Sequence, residues 1–168
     1  MMDQAVFYAT FAAAVGSGLV AGVFFAFSSF VMGALGRVPA AHGIEAMQSI
    51  NVVVINRSFM LVFFGTAILC LCLCLCLGLL AASWLRWSGG GGGLLFSASL
   101  FYLVGTIGVT IVFNVPLNNA LAGVQPGTPE AGALWAHYLK RWTMWNTVRT
   151  VAPTAAMILF VIAMLRAG

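Results

Sequence analysis

The residues best suited to chemistry lie in one stretch, Trp135 to Arg149, with the sequence WAHYLKRWTMWNTVR. It contains no Pro or Gly and reads as helix. At roughly 100° per residue, Trp135, Tyr138, Trp142, Trp145, Asn146 and Arg149 share one face, while His137, Lys140, Arg141 and Met144 turn toward the other. A stripe of indoles and a phenol can stack on a planar ring, and an amide and a guanidinium at its end can hold that ring's oxygens. The same residue types at a membrane boundary also serve as aromatic belt and headgroup anchors. Which role applies depends on what the helices around this stretch place beside it.

Composition identifies those helices as membrane spans. The chain has 168 residues, 62% hydrophobic and 6% charged, with a mean hydropathy of +1.08. Soluble domains carry about 25% charged residues, so there is too little polar surface here to wrap a soluble globule. The net charge of +4 sets seven Lys and Arg against Asp3, Glu45 and Glu130. These basic residues are scattered, which suits anchoring at lipid headgroups and argues against a nucleic-acid partner. The N-terminus lacks a basic region, and its first apolar segment is too long for a cleaved leader, so it reads as the first span.

Four spans are expected, at about residues 5–35, 59–85, 94–113 and 150–166. The first carries Ala14, Gly18, Gly22 and Ala26 at intervals of four, a stripe that permits close helix packing; Gly18 and Gly22 are the candidate contact for a homo-oligomer. Gly36 and Pro39 end it. Helical pattern then runs from Ile44 to Trp84, 41 residues, or roughly 60 Å at 1.5 Å per residue. A bilayer core needs only about 30 Å, so this helix must project from the membrane or bend near Asn56–Arg57–Ser58. Cys70, Cys72, Cys74 and Cys76 point to opposite sides of one helix, which is poor geometry for a shared metal; they read as small apolar side chains. Trp84, Arg86 and Trp87 read as interfacial anchors, and Gly89 to Gly93 as a flexible connector without the Lys and Ser/Thr of a phosphate loop. Pro116 is expected to end or kink the third span, with Asn114 and Asn118 on one face if a turn survives it. Thr128-Pro129-Glu130 reads as a helix start, and Pro153 as a kink in the last helix.

The expected fold is therefore an all-α integral membrane protein, a single up-down bundle of four transmembrane helices with helices two and four extended beyond the membrane on one side. That end would gather Gln48, Asn51, Asn56, Arg57, Asn114, Asn118, Trp135, Tyr138, Trp142, Asn146 and Arg149 into a polar, aromatic-walled pocket. Buried polar groups in spans are costly and tend to be functional. His42 and His137 have no converging carboxylates, so no metal site is expected. The positive-inside rule places this end in the cytoplasm.

The runs AVGSGLVAGVFFAFSSFVMGAL, AMQSINVVVINRSFM, GTIGVTIVFNVPLNNAL and LWAHYLKRWTMWNTVRT resemble the small four-span membrane proteins grouped with fungal anthrone oxygenases. The most specific pieces are FNVPLNNAL, the spacing of Trp135 and Tyr138, and Trp142…Asn146…Arg149. The resemblance implies a membrane oxidoreductase that uses O2 on a planar aromatic, anthrone- or quinone-like small molecule, without a cofactor. On that implication Arg149 pairs with the substrate's oxyanion and Asn146 orients it. Asn114 and Asn118 orient it too, Trp142 stacks on the ring, and Tyr138 or His137 relays the proton; Trp135, Asn56 and Arg57 join the candidate substrate-binding residues by their place at the same end of the bundle. The bacterial members that dominate the group imply a multi-pass protein of the cell membrane, a bacterial inner membrane. The rival reading is a non-enzymatic membrane protein: an assembly subunit, a binder or a small transporter.

Overall fold

In a computed structural model, residues 3–80 and 91–166 are described; the expectations for Trp84, Arg86, Trp87, Gly89 and the Cys76 side chain lie outside the described residues. The chain is almost wholly helical, in the order α1 (Gln4–Leu35), α2 (Ala40–Val53), α3 (Arg57–Leu80), α4 (Gly91–Ala122) and α5 (Pro129–Leu165). Four of these, α1, α3, α4 and α5, are long and apolar enough to cross a membrane, and the chain is a multi-pass membrane protein. They form a four-helix bundle in which the main contacts run in a ring, α1 to α5 to α4 to α3 and back to α1. The apolar side chains of Leu19, Phe25, Leu61, Ile68, Val104 and Leu165 face outward, as lipid-facing surface requires.

Local chemistry sets the boundaries. The Asp3 carboxylate caps α1, accepting from the Ala5 N–H at 2.9 Å. The Thr128 hydroxyl caps α5, accepting from the Ala131 N–H at 3.2 Å, with Pro129 in the first turn, where its missing N–H costs nothing. The long second segment bends rather than projecting straight. α2 ends at Val53 and α3 starts at Arg57, and the Asn56 amide bridges the break, accepting from the Phe59 N–H and donating to the Val53 carbonyl, both at 3.0 Å. α4 begins within the glycine run, so Gly91–Gly93 are its first turn and not connector.

Pro116 and Pro153 are both carried inside helix. Ahead of Pro116, the turn Thr110–Asn114 widens to π-helix, and the Val115 N–H bonds the Thr110 carbonyl five residues back. A proline lacks the N–H for the carbonyl four residues back and its ring collides with it; the wider turn carries the helix past that collision. Two other turns are π-helical, Phe27–Val31 in α1 and Leu103–Gly108 in α4. Pro153 is buried, and α5 continues through it to Leu165.

Two cores stack along the bundle. One is built of small residues and phenylalanines, Ala13, Ala98, Ala156, Ala163, Phe24, Phe63 and Phe160 among them. Its helices approach until a Cβ has no room at Gly16, which meets Thr66, or at Gly105, which meets Ala152. In the small-residue stripe, half-buried Gly18 lies against Met157 of α5, an intramolecular contact, whereas Gly22 is exposed and a Cβ added there would meet nothing within 4 Å. The second core joins Ile44 and Met47 of α2 and Leu121 of α4 to Trp135, Tyr138 and Trp142 of α5. Gln48 fastens it, donating to the Leu121 and Val124 carbonyls at the end of α4 and just beyond it, at 2.8 and 3.1 Å.

Candidate functional site

The face expected of α5 is the buried one. Trp135, Tyr138, Trp142, Asn146 and Arg149 are all buried, and the first three rings form a ladder, with Tyr138 stacked 5.6 Å from Trp135 and 5.9 Å from Trp142. Trp135 is therefore a packing residue; its ring lies against Gly43, the glycine that lets α2 come close. Trp145 stacks on Phe113 at 3.6 Å.

The polar groups of α4 meet this ladder. The Asn118 amide oxygen accepts from both the Tyr138 hydroxyl and the Trp142 indole N–H, each at 2.8 Å. Asn114, fully buried one turn earlier, donates to the Trp142 carbonyl at 3.2 Å, and its amide oxygen has no partner. The two asparagines thus share a face across Pro116, and both hold Trp142 in place.

Arg149 is the centre of the arrangement. It is 6% exposed. Its Nε donates to the Asn146 amide oxygen at 3.0 Å and its Nη1 to the Thr110 hydroxyl at 3.3 Å. The guanidinium lies over the Phe24 ring at 4.2 Å and the Trp142 ring at 4.8 Å, a cation–π sandwich that offsets part of its desolvation. Asn146 is fully used in positioning it, since its amide nitrogen donates to the Phe24 carbonyl and the Ser28 hydroxyl, both at 2.7 Å. The chain's only carboxylates besides its C-terminus, on Asp3, Glu45 and Glu130, are all exposed, and among the described residues none pairs with Arg149. A buried cation without a counterion is strongly disfavoured, and here two hydrogen bonds and two ring faces are what offset its burial.

A cavity of about 220 Å³ lies beside the guanidinium, lined by Phe24, Phe27, Met47, Phe59, Phe63 and other apolar side chains, with Asn51, Thr110, Asn118, Trp142 and Arg149 as its polar groups. It is smaller than the roughly 300–1,000 Å³ of drug-sized ligand sites. None of its described lining residues is an acid or a histidine.

Not every expected site residue is brought here. Arg149, Asn118 and Trp142 line the cavity; Asn146, Asn114, Tyr138 and Trp135 stand behind them and hold them. Asn56 and Arg57 are exposed at the α2–α3 break, where the Asn56 amide is consumed as a helix cap. His137 is exposed on the outer face of α5; Tyr138, whose hydroxyl already donates to Asn118, is the nearer of the two expected proton relays. Among the described residues no group of three His, Cys, Asp or Glu could hold a metal ion, and Cys70, Cys72 and Cys74 are free thiols.

Three contributors were missed: Phe24, Ser28 and Thr110. Thr110 precedes Asn114 by four residues and could have been found as part of that face. Ser28 sits in a phenylalanine-rich run and is delivered to Asn146 by the π turn Phe27–Val31, a register that apolar periodicity does not reveal.

Comparison with known proteins decides the lineage. The profile of the anthrone oxygenase family matches residues 59–159. The chain belongs to the anthrone oxygenase family. The matched segment runs from the first turns of α3 through most of α5 and so includes Thr110, Asn114, Asn118, Trp142, Asn146 and Arg149. No curated relative and no solved structure matches the chain.

Proposed function

We propose that this anthrone oxygenase family protein is a membrane oxidoreductase that binds a planar, acidic aromatic molecule of the anthrone class as its anion and exposes it to O2. The single observation that carries the reading is the buried, carboxylate-free guanidinium of Arg149 at the wall of an aromatic cavity. An anthrone loses a proton from its ring methylene to give an electron-rich oxyanion. Arg149, held by Asn146 and Thr110, stabilises that oxyanion, and a fixed positive group in a dry site does this more strongly than water does. Trp142 and Phe27, in contact with each other, form part of the wall against which the ring lies, and Asn118 and Asn51 offer amides to further ring oxygens.

Oxidation then balances as follows. The anion gives electrons to O2, a carbon–oxygen bond forms at the former methylene, the oxygen–oxygen bond breaks, and the carbon keeps one oxygen as a carbonyl while the other leaves as water. The protein's part is to lower the cost of the anion and to fix the ring. With no base in the described cavity lining, the methylene proton passes to water, and the guanidinium stabilises the anion that remains. That same feature supports the second reading, a non-enzymatic binder of the same class of acid.

Oxygen uptake by the purified protein with an anthrone separates the two. The expected result is uptake above the spontaneous rate in wild type and its loss in Arg149→Ala. Binding without any added uptake would leave the binder.

A further inference from the structure

The cavity is not sealed, and where it opens bears on what reaches it. α3 packs along the Gly91–Gly108 part of α4 and makes no comparable contact with its Thr110–Ala122 part. The start of α3 therefore splays from the end of α4. The lining residues at this slot are the exposed ones: Ile55 in the α2–α3 break is 71% exposed and Phe64 in α3 is 50% exposed, with Val115 of α4 opposite at 39%. Deeper lining residues such as Met47 and Phe24 are buried. The outer surface around the slot is apolar, with Val52, Val53, Leu61, Ile111 and Val112 all strongly exposed. Such surface belongs against acyl chains and not water. Arg57 and Asn56 are exposed at the same level, as expected where acyl chains meet headgroups.

We infer that the Arg149 cavity is loaded sideways from the bilayer, through a slot between the α2–α3 break and α4 whose threshold is Ile55 and Phe64. The inference rests on the proposed function for what binds and extends it to the route and the ligand class. The ligand is an amphiphilic aromatic acid that dissolves in the membrane, with its ring among the acyl chains and its oxygens toward the headgroups. It slides ring-first past Ile55 and Phe64 onto Phe59 and Phe27. Its oxygens need not cross water to reach the guanidinium. The break in the helix supplies the opening: an unbroken helix would carry Ile55 as a continuous wall, whereas here the backbone turns away and the Asn56 amide ties off the freed groups.

The test uses the full chain in phospholipid vesicles and a membrane-dissolved phenyl diazirine, which inserts into whatever it touches on illumination. Labelling is read at Met47 and Phe27 inside the cavity. The expected result is labelling at both in wild type, falling at least fivefold in Ile55→Trp and in Phe64→Trp. Leu61→Trp, on the same exposed surface but away from the cavity lining, leaves it unchanged. Unlabelled Met47 and Phe27, or equal labelling in all variants, overturns the slot. The probe is uncharged, so Arg149→Ala keeps the labelling while losing binding of an aromatic acid in detergent. If wild type fails to bind the acid, the functional reading falls and the labelling still decides the route.

Discussion

From Ala152 to Ala163, α5 presents Ala152, Ala156, Phe160 and Ala163 to its neighbours. From Trp135 to Arg149 it presents three stacked rings, an amide and a guanidinium. The first half achieves contact by removing side chains: Gly105 of α4 comes so close to Ala152 that a methyl group cannot be added. The second half fills the space between helices with large amphipathic groups, then spends hydrogen bonds from α1 and α4 to hold them. Close packing of small residues needs no polar atoms to associate two helices in lipid. The aromatic half is thus more elaborate than folding requires. Its polar groups fall into two layers: Asn146 and the amide oxygen of Asn118 are satisfied within the protein, whereas Arg149 has N–H groups beyond those bonded to Asn146 and Thr110 and a cavity next to them. One half of the helix holds the bundle together, and the other holds a cation at the edge of an empty space.

Removing the cation breaks the comparison most sharply. Arg149→Ala is expected to weaken binding of an aromatic acid about 30-fold or more, in line with the ~2–5 kcal/mol of a truncated buried charge contact, as read by titration in detergent. Thr110→Asp places a carboxylate beside Nη1 and neutralises the guanidinium from within; a loss of binding comparable to Arg149→Ala with the fold retained is the expected outcome. Unchanged affinity in Thr110→Asp would show that charge is not what the site supplies.

In the close-packed half the expected effect is on stability alone. Gly105→Ala overpacks against Ala152 and should destabilise the bundle by about 1–3 kcal/mol, lowering the melting temperature in detergent while the folded fraction binds as wild type does. Asn118→Ala removes the shared acceptor of Tyr138 and Trp142 and leaves two buried donors unpaired. About 1–3 kcal/mol of stability and roughly tenfold in affinity should go together, since Trp142 is both core and cavity wall. At the small end, His137→Ala should change stability by less than about 0.5 kcal/mol and leave binding alone, because that ring is exposed. A lost activity in His137→Ala would return it to the site as a proton carrier.

Much of this was legible in the sequence. Hydropathy marked the four spans, and a 3.6-residue period put Trp135, Tyr138, Trp142, Asn146 and Arg149 on one face because a helix without Pro or Gly keeps that period. The length mismatch between residues 44–84 and a bilayer left projection or a bend near Asn56–Arg57–Ser58 as the alternatives, and the break at residues 54–56 is the bend. What could not be read was which polar groups are consumed locally. Asn56 and Asn118 are the same residue type near helix ends, yet one caps its own helix and the other reaches across to α5. That difference is decided by neighbours distant in sequence. The π turn that delivers Ser28 leaves no mark in apolar periodicity, whereas Thr110, four residues before Asn114, could have been read onto that face.

The central claim is that Arg149 stabilises a bound anion, and the most direct measurement is the acidity of the bound ligand. A hydroxyanthrone whose absorption changes on ionisation would be titrated with pH, free and bound, in wild type and Arg149→Ala. The expected result is an ionisation shifted to lower pH on binding wild type, because a cation favours the charged form, and no such shift in Arg149→Ala. A ligand that binds wild type with its ionisation unmoved would contradict the account.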